Sequence, residues 1–420
     1  MTINFSDYTI VYEAGKPYTP FAREAACFLR QRIEKKYGCA PSVKEHAESE
    51  SVIRFVRGDE EKPNHCTVEK KGKAICLTAA SSSGYDKVIE LFLSLAEIED
   101  GRLYEDTAAD RSLEKEHGNL RVIFHNIFGY DREPTINSAL RFTFQTLLYR
   151  EYKAPLLCLQ EYDIEPRRLM APLLEAAGYR EVEVDFSALG KNCSPIFYDP
   201  TRLSLLDRGY HPFFYVSPVN PAVCNNANTK NITWAVFEDQ KTGKRFTVIS
   251  LHFYYSADAA ISKERVERAE SNLARIKNAE EMMDVIRNEI LPKHPHLPIL
   301  FGGDMNACYI HGTLESVLES VTGGKTVLDY LCEEGALAAK DSATVFADSH
   351  TTVHAYPTYD QALGYYDTCA DLADTSFDRA IDHVYTYGEG MTVRTFDILD
   401  STFACKTSDH CPIVVDVDLL

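Results

Sequence analysis

The stretch Leu297-Pro298-Ile299-Leu300-Phe301-Gly302-Gly303-Asp304-Met305-Asn306 is an apolar run, a double glycine and two polar side chains spaced two apart. The run predicts a buried strand over 297–301. The glycines let the backbone turn at its end, and alternation then sends Asp304 and Asn306 to one side. An Asx-rich turn would read the same way in isolation, so the assignment rests on what accompanies it. Five further segments do: His125-Asn126, Gln160-Glu161, Leu251-His252, Ile381-Asp382-His383 and Ser408-Asp409-His410. Each ends, starts or lies within a short apolar run bounded by turn-like residues, as when strands deliver polar groups to one rim of a core. The six segments bring Glu161, Asp304, Asp382, Asp409, Asn126, Asn306, His252 and His410 to such positions. Unit charges a few ångströms apart repel by roughly 4 kcal/mol at an effective dielectric of about 20, so four gathered carboxylates call for a cation or a trapped proton. A hard, oxygen-seeking ion such as Mg²⁺ suits that donor set.

Each segment also has a plainer reading. Glu161 follows the run 155–159 and could be a solvated strand end. Asp382 is framed by Ile381 and Val384, where an unpaired carboxylate is costly, so it needs the site or a structural partner such as Arg379. Asp409 and His410 are adjacent, and adjacent side chains on a strand point to opposite faces. A contact between them would need a turn or bulge; otherwise each serves a different partner. Gly323-Gly324-Lys325-Thr326 reads as a turn, since Glu319 stands where a phosphate loop has its first glycine. No G-x-S-x-G occurs, which weakens a serine-hydrolase reading.

The 420 residues exceed one ordinary small core, and length favours two domains or more. No apolar stretch approaches the roughly 18 residues of a membrane span. The start, Met1-Thr2-Ile3-Asn4-Phe5, has neither a basic n-region nor an apolar h-region, so export by signal peptide is not expected. The 12 cysteines lie singly without a C-x-x-C pair, as expected of reduced thiols in a cytoplasmic protein. The formal charge of −19 divides into −4 before residue 117 and −15 from there on. Bulk electrostatics therefore oppose a polyanion, and no basic arm or patch is visible.

Along the chain, a strand over 8–12, a helix from Phe21 to about Gly38, a strand over 51–56, a hairpin over 66–77 and a helix over 85–98 make a small α+β unit, residues 1–98. Residues 99–117 are acidic and without periodicity, and read as a linker. From 118 to 420, strands are expected over 121–127, 155–159, 246–251, 297–301, 380–385 and 412–417. Helices are expected around Ile136–Leu147 and over 261–290. Strands arriving singly and in hairpins favour packed sheets covered by helices over a doubly wound sheet.

In this order the segments of 118–420 resemble the endonuclease/exonuclease/phosphatase superfamily, the resemblance lying in the ordered set of an Asn strand, a Q-E strand end, a strand-ending His, G-D-x-N, an I-D strand and a terminal S-D-H. It implies an α/β fold, a four-layered sandwich of two packed mixed sheets flanked by helices, behind a small N-terminal α+β domain. It also implies divalent-metal hydrolysis of a phosphoester, with Mg²⁺ as cofactor and Mn²⁺ as its alternative. Carried over, Glu161 looks like the principal metal ligand, with Asn126, Asp382 and Asp409 near the ion. Asp304 and Asn306 orient water and phosphate, and His410 and His252 contact phosphoryl oxygens or handle protons. Lys230-Asn231-Ile232-Thr233-Trp234 resembles a motif in which bacterial members carry Arg; Lys230 would bind substrate phosphate as a point charge rather than a fork. The aromatic segment 209–228 is expected to wall the pocket, and Trp234 to pack in a strand core. The N-terminal unit is weakly similar to the accessory domain of family 20 hexosaminidases, which implies a noncatalytic role. The expected substrate is a small or medium phosphorylated compound, a phosphodiester or sugar phosphate; a nuclease and a catalytically silent binding module are the alternatives.

Overall fold

Strand alternation divides the apolar side chains of the C-terminal region among three cores. In the computed structural model, which describes residues 3–13, 19–60, 62, 65–96, 104–107, 118–129, 138–185, 192–218, 221, 224–225, 230–255, 269–307, 325–343, 345–346, 359–360, 365–366 and 380–420, two sheets face each other. The first runs in the order Val345–Phe346, Met391–Ile398, Ile413–Leu419, Leu120–Asn126, Leu156–Gln160, Ile196–Tyr198, Arg180–Glu181. The second runs Leu203–Pro212, Asn231–Asp239, Arg245–His252, Ile299–Asp304, Asp382–Tyr387, Leu337–Ala338. Leu120, Val122 and Phe124 join Phe237, Val248, Leu300 and Val384 in the core between them. Ile123, Leu157 and Leu159 point the other way, beneath the helices Ser138–Tyr152 and Ile164–Ala176. On the far side, Trp234, Ile249 and Phe301 pack with Ala279, Met282 and Met283 of the helix Ala269–Val285 and with Leu328 of Val327–Glu333. Helices, sheet, sheet, helices: this is the expected four-layered α/β sandwich.

The strands Leu203–Pro212 and Met391–Ile398 and the short strands Arg180–Glu181, Ile196–Tyr198, Leu337–Ala338 and Val345–Phe346 escaped the sequence reading, and Asn231–Asp239 was anticipated only as the strand core in which Trp234 packs. The start of the segment expected to wall a pocket, 209–212, is strand paired with 231–234. Gly209 lies opposite Trp234, whose buried indole covers it so closely that a Cβ there would overlap the ring. Of the helix expected over 261–290, the part described starts at Ala269, and Ile286–Ile290 continues it as a π-helix. Arg379 and the pair Gly323-Gly324 lie outside the described residues.

The N-terminal strands form their own six-stranded sheet, Ser42–Lys44, Thr9–Glu13, Val52–Arg57, Ala74–Ala79, His65–Lys71, Tyr104–Thr107. The last of these lies within the stretch read as linker. Pairing with His65–Lys71 satisfies its backbone without any apolar period, so no pattern betrays it. The helices Thr19–Tyr37 and Ser82–Leu95 pack the unit onto the sandwich through a continuous core that joins Phe21, Val88 and Phe92 to Phe144, Leu148 and Phe403. Polar contacts flank that core. Ser82 donates through N–H and hydroxyl to the two carboxylate oxygens of Glu151, at 2.9 and 2.6 Å. No helix among the described residues is long and apolar enough to cross a membrane.

Asp86 accepts the Thr402 N–H at 2.7 Å across this junction, and burial pushes its carboxyl from 3.8 up to about 6. The folded carboxyl holds its proton more tightly than the unfolded one. The stability it contributes is therefore complete below pH 3.8 and lost as pH rises through 6, a difference of about 3 kcal/mol. Asp86→Asn keeps an acceptor for Thr402 without the charge. Thermal unfolding should show the variant a few degrees more stable than the parent at pH 7.5, with the gain gone at pH 4.

Candidate active site

Strand register sets the six segments on one rim. Leu120–Asn126 and Leu156–Gln160 are parallel, with Asn126 opposite Gln160. Arg245–His252 and Ile299–Asp304 are parallel too, with His252 opposite Asp304. Asp382–Tyr387 runs antiparallel to Ile299–Asp304, so its first residue meets the last, Asp382 opposite Asp304. Ile413 pairs with Phe124, which brings the preceding Ser408-Asp409-His410 beside Asn126.

Asp304, 2% exposed, is the centre. Its Oδ2 accepts the Asn126 amide at 2.9 Å, lies 3.2 Å from His252 Nε2 and 3.9 Å from His410 Nε2, while Oδ1 accepts the Asn306 N–H at 2.8 Å. Burial alone would raise the Asp304 carboxyl; the rings of His252 and His410 and the Lys230 ammonium outweigh it and hold the group ionised, well below the usual carboxylate range. His410 Nδ1 lies 2.8 Å from Asp382 Oδ2. Burial opposes the charge of that ring, yet Asp382, Asp304 and Asp409 keep it protonated well above the ordinary histidine value. The acid beside His410 in sequence is thus not its partner; the partner is Asp382, 28 residues away. Asp382, expected near a metal, places its Oδ2 against the imidazole.

Glu161 departs from the strand with φ 62, and Phe128 and Asn306 share the left-handed region at 53 and 51. Three of the five non-glycine residues with positive φ among the described residues therefore stand at this rim, backbone strain being concentrated where side chains must be aimed. Glu161 is half-buried, and its Oε2 is shielded from water without a hydrogen-bond partner among the described residues. Burial raises its carboxyl, against the pull of Lys230 and His410. Lys230 Nζ contacts His252 Nε2. Burial brings Lys230 down to about 8, while burial and the Lys230 charge bring His252 down to about 4, so that ring is neutral. His252 Nδ1 has no partner among the described residues. Asn306 Nδ2 donates to the Phe253 carbonyl at 3.2 Å. Gly303, at φ 138, lets the strands close here, since a Cβ would overlap the Leu251 carbonyl oxygen and crowd the Gln160 amide.

A set of supporting residues carried no sequence signal. Arg141, fully buried in the helix Ser138–Tyr152, donates to the carbonyls of Ile127, Phe128 (2.8 Å) and Thr407 (3.2 Å). Gln145, one turn on, donates to Ile127 and Thr407 as well, at 3.2 and 2.7 Å. The two bind the chain just after Asn126 to the chain just before Ser408. His125 Nδ1 sits 2.7 Å from the Tyr149 hydroxyl and Nε2 3.2 Å from the His410 carbonyl, and Ser408 Oγ donates to the Asn126 carbonyl at 2.6 Å.

Ligand atoms of Asp304, Asp382 and His410 lie within 4.8 Å of one another, a cluster able to hold a cation. No family model matches the chain, and no curated protein does. Solved structures similar to it include endonuclease/exonuclease/phosphatase proteins. One is from Bacteroides vulgatus, at 18% identity and a TM-score of 0.48, covering 72% of this chain and 99% of that one. A mannosyl-6-phosphatase of Bacteroides thetaiotaomicron has 17% identity and a TM-score of 0.45, over 71% and 99% of the two chains. The human Nocturnin catalytic domain has 16% identity and a TM-score of 0.45, over 72% and 94%.

Replacing Arg141 takes the side-chain donor from the Phe128 carbonyl and leaves the Ile127 and Thr407 carbonyls with Gln145 alone. Arg141→Met should lower the unfolding free energy in urea by about 3 kcal/mol. Arg141→Lys should recover little of it, since one ammonium cannot reach what a planar fork reaches.

Proposed function

We propose that this chain is a divalent-metal-dependent phosphoesterase of the endonuclease/exonuclease/phosphatase superfamily, acting on a small or medium phosphorylated compound. The observation that carries the reading is a buried, ionised Asp304 ringed by two imidazoles and two Asn groups, beside a Glu161 carboxylate one of whose oxygens has no hydrogen-bond partner among the described residues. Phosphoryl transfer needs charge neutralisation, an aligned nucleophile and proton management. An orphaned carboxylate oxygen next to a shielded acid is the donor chemistry a hard cation takes, so the residues fit Mg²⁺, or Mn²⁺ in its place. Glu161 would hold it, with Asn126 and Asp409 near. The His410 side of the Asp304–Asp382–His410 cluster, where Nδ1 is taken by Asp382, is assigned to proton and phosphate handling. When bound, the ion supplies charge neutralisation at the phosphoryl oxygens.

The chain's own groups do the rest. Asp304, held by Asn126 and Asn306, is aimed to orient a water and accept its proton. The water oxygen bonds to phosphorus, the ester P–O bond breaks, the departing alkoxide takes up a proton from solvent water, and Asp304 returns its proton to solvent. The His410 imidazolium, fixed through Nδ1 by Asp382, presents Nε2 to a phosphoryl oxygen. Lys230 and neutral His252 bind the phosphate on the opposite side. Asp382 is thereby assigned to orienting His410. The −15 carried after residue 117 supports a small substrate over a nucleic acid.

The test is a panel of phosphomonoesters and phosphodiesters, including p-nitrophenyl phosphate, bis(p-nitrophenyl) phosphate, sugar phosphates and plasmid DNA, with Mg²⁺ or Mn²⁺. Release from a small ester, abolished by chelation and lowered about 10³-fold in Asp304→Ala, is expected. Salt-sensitive DNA cleavage outpacing every small ester would replace the substrate class with a nuclease, and no release at all would sink the enzyme reading. Separately, calorimetric titration with Mg²⁺ should show binding that Glu161→Gln weakens by 10-fold or more, on the order of 1.4 kcal/mol.

A further inference from the structure

Residues 401–411 lead into the His410 imidazole, and three contacts from the N-terminal unit end on them. The Thr402 N–H is taken by Asp86. The Phe403 ring lies edge-on to Phe21 of the N-terminal unit, at 4.0 Å between centroids, and tilted against Phe144 of the sandwich at 5.0 Å. Lys406 Nζ donates to Glu24 Oε2 at 3.1 Å, both residues no more than 2% exposed. Glu24 is the only charged residue among those buried in the helix Thr19–Tyr37, whose other buried positions are Phe21, Ala22, Ala26, Cys27, Leu29 and Ile33.

Lys406 stands four residues before His410, and the residues between them are themselves tied. The Thr407 carbonyl takes donors from Arg141 and Gln145, and the Ser408 hydroxyl reaches the Asn126 carbonyl. The segment is therefore gripped from two sides, by the sandwich through Arg141 and Gln145 and by the N-terminal unit through Glu24, Asp86 and Phe21. Burying a charge pair is a poor way to gain stability, since apolar side chains of similar volume do as well; what the pair adds is atom-to-atom direction.

We propose that the N-terminal unit is a positioning element for the candidate site, in which the buried Glu24–Lys406 pair sets the segment 401–410 so that His410 meets Asp382 and Asp304. Glu24 and Lys406 are positioning residues, acting through the segment that carries His410. The inference rests on the phosphoesterase reading for its kinetic consequence but not for its structural one. Glu24→Leu, the shape-preserving Glu24→Gln and the double variant Glu24→Leu/Lys406→Met are compared in the full chain, well below their unfolding temperatures. On the panel ester turned over fastest, kcat should fall about 10- to 100-fold in Glu24→Leu and less in Glu24→Gln, with KM within twofold and most of kcat restored in the double variant. Amide hydrogen exchange should quicken in 401–411 and stay unchanged in 120–126 and 299–304. Unchanged kcat with unchanged exchange in 401–411 overturns the proposal, as does exchange that quickens equally in all three segments, which marks a merely structural pair. Should Glu24→Leu not fold, Glu24→Gln carries the same comparison. If the parent chain turns over no ester in the panel, the phosphoesterase reading falls by itself, and the exchange data alone decide whether Glu24 holds the segment.

Discussion

Two carboxylates stand side by side at the meeting of antiparallel strands, Asp304 opposite Asp382, and the site depends on how their repulsion is relieved. Side chains at such paired positions lie only a few ångströms apart, and burial denies them the screening that water would give. The imidazole of His410 resolves the conflict, with Nδ1 on Asp382 and Nε2 toward Asp304. Once one ring must sit between two strand ends of one sheet, the segment that carries it must cross from the other sheet and be held there. Arg141 and Gln145 do this from the helix layer, and Ser408 from within the segment itself. The same requirement gives the charged contacts of the N-terminal unit a reason beyond stability.

The opposite flank shows the converse arrangement. Lys230 and His252 lie in contact at the ends of neighbouring strands, and burial drives both toward their neutral forms. An anion arriving there would find a cation whose charge is costly to keep and a ring with an unused nitrogen, so binding would relieve the strain that burial imposes. His410 is held protonated and His252 is driven toward its neutral form although both rings face Asp304, and the difference follows from a second carboxylate, Asp382, beside one and from burial and the Lys230 ammonium at the other.

Much of this was legible residue by residue. The apolar runs that end in Asn126, Glu161, His252 and Asp304 are strands that stop at the rim, because alternation and turn residues are local properties that a single segment displays. The strands that went unread or only partly read fail for the same reason: 203–212 is half-exposed along most of its length, with no apolar run to mark it, and Asn231–Asp239 is buried on both faces without alternation. Tyr104–Thr107 is a polar edge strand whose pairing depends on a neighbour some forty residues earlier. Arg141 looked like any charge on a helix, and only burial beneath two loops turns it into a clamp.

By itself the sequence determined which chemical groups stand at strand ends, that they are carboxylates, amides and imidazoles in a strongly acidic chain, and that the apolar faces need sheets and helices to cover them. Only the tertiary structure decided the pairing: that His410 answers to Asp382 and not to Asp409, that Glu161 keeps a bare oxygen, and that Lys406 meets Glu24 across 382 residues of chain. The reason is physical. Periodicity reports which way a side chain points relative to its own strand, whereas a contact between distant residues is set by register and by the closure of loops, which no local pattern encodes.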